Sequence, residues 1–107
     1  MNLNVGDMLY ITMKKKGWTL QALADELTKQ QEILGYRGSI SKVNLCAKIH
    51  IQFGEAGITP ELARRIEIIM GLEKYSLVNM CPKRSLNSPS QKKKVEKVDM
   101  LLGEKEV

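Results

Sequence analysis

The chain has one histidine, His50, and two cysteines, Cys46 and Cys81. It has no HxxxH, no CxxC and no clustered Cys and His, so the usual ligand sets of zinc and other transition metals are missing. The two cysteines stand in dissimilar contexts, which reads as reduced thiols in a cytoplasmic protein rather than a disulfide framework. No apolar run approaches the roughly 18–20 residues of a membrane span. The opening MNLNVGDML lacks the basic-then-apolar order of a secretory signal. There is no glycine-rich phosphate loop, because GEAG at 54–57 is not followed by Lys-Ser/Thr. Nucleophilic catalysis would have to pair Cys46 with His50. These lie four residues apart and share a helical face, but no third group orients them. Asp25 and Glu26 are adjacent and diverge on a helix, so they make no carboxylate pair. The expectation is a protein without enzymatic activity, cofactor, metal or membrane association.

Aromatic residues are also scarce: Trp18, Phe53 and three tyrosines. With 43% hydrophobic residues, the core must be mainly aliphatic and modest in size, as small domains bury a smaller share of their surface. The net charge is +5, but its distribution says more than its total. Residues 1–81 carry ten Lys and Arg against eight Asp and Glu, whereas residues 82–107 carry seven against four. Most of the basic excess therefore belongs to the C-terminal segment. Within the first part, Arg37, Lys42, Lys48 and His50 fall in a stretch from Ile33 to Gly54 that contains no acid. Such a patch suits a phosphate backbone.

Helix signals are strong in three places. Residues 7–16 put Asp7 at the start and three lysines at the end, the charge order that the helix dipole favours, with Gly17 as a stop. Residues 18–34 begin with Thr19 as a natural N-cap and carry Leu20, Leu23, Ala24 and Leu27 as one stripe. Its end falls between Leu27 and Leu34. Residues 59–70 open with Thr59-Pro60-Glu61, a cap, an N1 proline and a first-turn acid. Leu62, Ala63, Ile66, Ile69 and Met70 form an apolar face, and Gly71 ends it. Arg65 stands four residues after Glu61, the spacing of an intrahelical ion pair. LEKYSLVNM reads as a short closing helix.

The stretch 42–53, KVNLCAKIHIQF, is ambiguous. Val43, Leu45, Ala47, Ile49, Ile51 and Phe53 alternate as in a half-buried strand. Helical spacing instead gives Leu45, Ile49 and Phe53 as one inward stripe, leaving Val43, Ala47 and Ile51 as a second. The preceding GYRGSIS is a turn with a serine cap, and helix signals flank the stretch, so the expectation is a helix. From Pro82 onward the chain is rich in Lys, Ser and Pro with little to bury, which reads as a disordered basic tail. VEKVDMLLGEKEV within it carries Val95, Val98, Leu101 and Leu102 but is too short for a stable isolated helix.

The order of these features resembles the Cro/cI-like (XRE) helix-turn-helix family. KKKG matches the end of that family's first helix, and Thr19, Leu23 and Ala24 match its second. Ser41, Asn44, Leu45, Lys48 and Ile49 match its recognition helix, and ITPELARRIEIIMGL is similar to its fourth. The likeness covers residues 7–80. It departs from the family between the second and third helices, where Thr28–Gly38 is an insertion of about ten residues. Either the second helix runs on to about Leu34 or a loop bulges out.

The resemblance implies an all-α fold: a compact four- to five-helix bundle with a helix-turn-helix in residues 1–81, followed by a flexible basic tail in 82–107. It also implies a DNA-binding transcriptional regulator, a repressor acting as a homodimer on double-stranded DNA. The third helix would enter the major groove by its N-terminal turn. There Lys42 would donate to guanine, Asn44 to adenine or phosphate, and Val43 would touch a thymine methyl, with Ser41 also at the DNA-binding surface and Ser39 or Ser41 as the helix cap. Lys48, Arg37, His50 and Gln21 would meet the backbone. Leu45 and Ile49 would face Ala24 and Leu27. The alternative on the same scaffold is an antitoxin or interaction module acting through 82–107.

Overall fold

A computed structural model describes residues 5–49 and 58–103 of the chain. Six α-helices and one 3-10 turn account for the regular structure, with no strand among the described residues. The helices are α1 (Val5–Lys16), α2 (Leu20–Leu34), α3 (Lys42–Ile49), α4 (Pro60–Met70), α5 (Lys83–Leu86) and α6 (Pro89–Leu102). The 3-10 turn spans Val78–Met80.

Local chemistry sets the boundaries. Asp7 lies in the first turn of α1 and Lys14, Lys15 and Lys16 in its last, and Val5, Leu9 and Met13 repeat every fourth residue as its buried stripe. Thr19 accepts the amide of Ala22 at 3.1 Å to start α2. Gly35, at φ 78°, ends α2 by donating back to Glu32 and Gln31, a left-handed cap that only glycine takes without strain. Of the two possibilities for the insertion, the first holds: α2 runs on to Leu34, and Leu34 is itself buried. Thr28 then ties the connection down. Its hydroxyl accepts the Ile40 amide at 3.0 Å and points its proton at the carbonyls of Ala24 and Ile40, 2.9 and 3.2 Å away.

The ambiguous stretch is helical over Lys42–Ile49. Ser41 caps it, its Oγ accepting the Asn44 amide at 3.1 Å. Leu45 is fully buried beside Ala24 and Leu27 in the main core, while Val43 is 75% exposed and Ala47 also faces out. Over the described part of the stretch, Leu45 thus faces in and Val43 and Ala47 face out, as helical spacing requires. The side chain of Ile49, and Ile51 and Phe53 altogether, lie outside the described residues.

Helix α4 is the hub. Thr59 caps it through the Leu62 amide at 3.2 Å, and Leu62, Ala63, Ile66 and Met70 pack into the core with Leu9, Leu23, Leu27 and Leu45. Polar residues of α4 are buried too, namely Arg64, Arg65 and Glu67. After Gly71, LEKYSLVNM does not continue as a helix. It forms turns about Tyr75, whose φ is 67°, and only the 3-10 turn over Val78–Met80.

The expected disordered tail is a second departure. Ser88 and Pro89 start a fourteen-residue helix, α6, that lies against α4 and α2. Val98 and Leu102 are buried with Leu34, Tyr36 and Ile68 in a small second core. The segment is poor in apolar residues overall, but two of them four apart suffice once α2 and α4 supply the opposite wall. The radius of gyration, 12.9 Å, matches the roughly 13 Å of a compact chain this long.

Candidate nucleic-acid interface

Helix α3 rests on both α1 and α2, anchored by Leu45, and turns Lys42, Val43, Asn44 and Ala47 outward. Its first-turn amides carry the positive end of the helix dipole. The starts of α2 and α3 meet at one surface. Tyr10, Met13 and Lys14 of α1, Trp18 and Thr19 of the α1–α2 connection, Leu20 of α2 and Lys42 of α3 line a single cleft. Lys14 lies over the Tyr10 ring, 5.4 Å from its centroid.

Of the expected site residues, Ser41, Lys42, Val43 and Asn44 are exposed together at the start of α3. Ser41 also holds the helix start. Arg37 is exposed in the α2–α3 connection, where its carbonyl accepts from Gln31 Nε2 at 3.4 Å. Gln21 is exposed in the first turn of α2, but its amide donates to Asp25 Oδ1 at 2.9 Å. Lys48 belongs to α3 by its backbone, and its side chain, like all of His50, lies outside the described residues. The Cys46–His50 pairing therefore falls outside them too, and Cys46 is half-buried.

Lys14, near the end of α1, has a position that the sequence alone did not suggest: it lines the cleft with Lys42. It fits the helix dipole, and that local reading hid its position. A signal was present: residues 10–24 contain no acid, just as 33–49 contain none. The fold brings these two runs together through Lys14 and Lys42.

The second concentration of charge is of the opposite kind. Glu67, fully buried, accepts the amides of Tyr75, Leu77 and Val78 at 2.7, 2.7 and 2.9 Å and binds Arg64 at 3.1 Å. Arg64 also binds Asp99 of α6, whose other oxygen accepts from the Tyr75 hydroxyl at 2.7 Å. Burial alone would lower the Arg64 pKa, but Asp99 and Glu67 more than offset it and raise it. The Glu61–Arg65 ion pair expected from spacing gives way to longer-range partners. Arg65 donates to Gln30 Oε1 at 3.0 Å and to the Leu27 carbonyl at 2.9 Å, while Glu61 accepts from the Tyr36 hydroxyl. Gln30 returns a bond to the Arg65 carbonyl at 3.2 Å. Arg65 is 3% exposed, and its pKa is lowered by burial. These groups hold α2, α4 and α6 together and offer nothing to a ligand at the surface.

Among the described residues, no three His, Cys, Asp or Glu side chains group to hold a metal ion. None of the described helices is long and apolar enough to cross a membrane. No protein-family profile, curated protein or solved structure matches this chain.

Proposed function

We propose that this protein is a sequence-specific binder of double-stranded DNA, a cytoplasmic transcriptional repressor without enzymatic activity, which inserts the N-terminal turn of α3 into the major groove. The observation that carries this reading is the exposed start of α3, which the fold brings beside α1 so that two acid-free runs of chain, 10–24 and 33–49, meet. Lys42, Val43 and Asn44 are exposed together there, Lys14 adjoins them, and Leu45 fixes the helix from behind. Lys42 suits guanine O6 and N7, Asn44 suits adenine, and Val43 suits a thymine methyl. Arg37 and Lys14 suit phosphates.

The operator-bound form in this reading is a homodimer. Ile33, Ile68, Ile69, Leu101 and Leu102 line a groove of about 400 Å³ between α2, α4 and α6, rimmed by Glu26 and Lys29. Ile33 and Leu101 are 51% and 41% exposed. Glu26 and Lys29 pair with each other at 3.2 Å, so the exposed apolar centre is what supports a contact with a second copy. A protein partner docking on α6, as in an antitoxin, is the competing reading, favoured by the exposure of both Met100 and Leu101 on that helix. Such a partner would dock on the formed α6 rather than order a free segment.

The test is binding to a randomised duplex pool over a salt series. The expected outcome is saturable binding with an enriched motif and affinity falling steeply with salt. Absence of duplex binding at low salt sinks the reading. Sedimentation of the free chain, with and without Leu101→Lys, separates a dimer from a monomer awaiting another partner.

A further inference from the structure

The cleft at the junction of α1, α2 and α3 has features that groove contact does not use. Its volume is about 300 Å³, the lower end of the range for small-molecule sites. Met13, 3% exposed, closes it toward the core. Trp18, the sole tryptophan of the chain, is half-buried in its wall with Leu20, and Tyr10 stands on the rim. Two lysines, Lys14 and Lys42, line it, and no carboxylate does. Two cations beside an apolar wall suit a ligand that carries both a negative charge and an apolar body. Aromatic walls favour a flat ring.

We propose that this cleft binds a small aromatic anion, its ring against Trp18 and Tyr10 and its charged group between Lys14 and Lys42. A mononucleotide and a benzoate-like acid share that chemistry. The inference stands apart from the DNA reading and does not require it. Lys42 belongs to both surfaces, so an occupied cleft withdraws one cation from the proposed DNA face.

The test uses the full ¹⁵N-labelled chain, whose single tryptophan gives one indole N–H resonance. AMP and benzoate are titrated separately, with adenosine and inorganic phosphate as ligands carrying only the ring or only the charge. A saturable shift of the Trp18 resonance by AMP, by benzoate or by both is expected, and whichever saturates identifies the source. AMP, if it is the one, should bind at least about fivefold more tightly than adenosine or phosphate, and Lys14→Ala or Lys42→Ala should weaken the active ligand by a similar factor. Both lysines are exposed, so the variants stay folded. The proposal fails if neither ligand gives a saturable shift, if adenosine or phosphate equals AMP where AMP is the active ligand, or if the lysine variants bind like the parent. Duplex binding measured in parallel keeps the two readings apart. A chain that binds AMP but no duplex refutes only the DNA reading, and one that binds duplex but neither small ligand refutes only the cleft.

Discussion

Two regions of this molecule use basic residues in opposite ways. Around α3, Lys14, Arg37 and Lys42 stand in solvent, free of nearby acids along their stretches of chain. Around α4, Arg64 and Arg65 are 2% and 3% exposed and are bonded to Asp99, Glu67, Gln30 and the Leu27 carbonyl. The first arrangement leaves positive potential at the surface, which the proposed reading assigns to DNA. The second cancels it inside. Among the described residues no buried side-chain nitrogen or oxygen lacks a hydrogen-bond partner, so the α4 charges are structural in full. A count of lysines and arginines would treat the two regions alike; what separates them is where each charge finds its counter-charge.

The comparison predicts that charges near α4 govern stability and those near α3 govern binding. The largest effect is expected for Glu67→Ala. It strips Tyr75, Leu77 and Val78 of their amide acceptor and leaves Arg64 with one fewer partner, at a cost of about 3–5 kcal/mol measurable by denaturant unfolding. Asp99→Ala should cost less, about 1–2 kcal/mol, because Arg64 keeps Glu67 and Asp99 is partly solvated. Its specific signature should be looser docking of α6, read as faster amide exchange over residues 95–102. Lys42→Ala should leave unfolding within about 0.5 kcal/mol of the parent. It should nevertheless weaken duplex binding by about 1–3 kcal/mol at the preferred sequence. An equal loss in both assays would break the division between the regions.

The smallest effect is on alkaline stability. Burial, then the hydrogen bond and charge of Glu61, push Tyr36 from 10.0 up to about 12. Burial, then Glu67, push the Cys81 thiol from 9.0 up to about 11. Both folded-state values lie above the ordinary ones, so folding favours the neutral forms. Their contribution is full below about pH 9 and is lost as pH rises toward 11–12. Tyr36→Phe should flatten the upper part of that decline in a pH series of thermal midpoints, and an unchanged slope would contradict the assignment.

Much of the fold was legible because its signals are local. Thr19, Ser41 and Thr59 cap helices through amides three residues on, and the glycine stops follow from backbone conformation alone. The helix at Lys42–Ile49 took more, since periodicity favoured a strand and only its neighbours argued otherwise. What the sequence hid depends on distant partners. Helix α6 has too few apolar residues to announce itself, and its wall comes from Leu34, Tyr36 and Ile68. Arg65 chose Gln30 and Leu27, far away in the chain, over Glu61 one turn back, because α2 lies against that side of α4. The same reason hid the cleft: Lys14 and Lys42 line one cleft only after folding.

The most direct test of the central claim is motif selection from a randomised duplex pool, run in parallel with the parent and with Lys42→Ala/Asn44→Ala. The account predicts one short motif for the parent and its loss or relaxation in the variant, with both chains unfolding at the same temperature. The same motif recovered from both chains, or no motif from the parent, would contradict it.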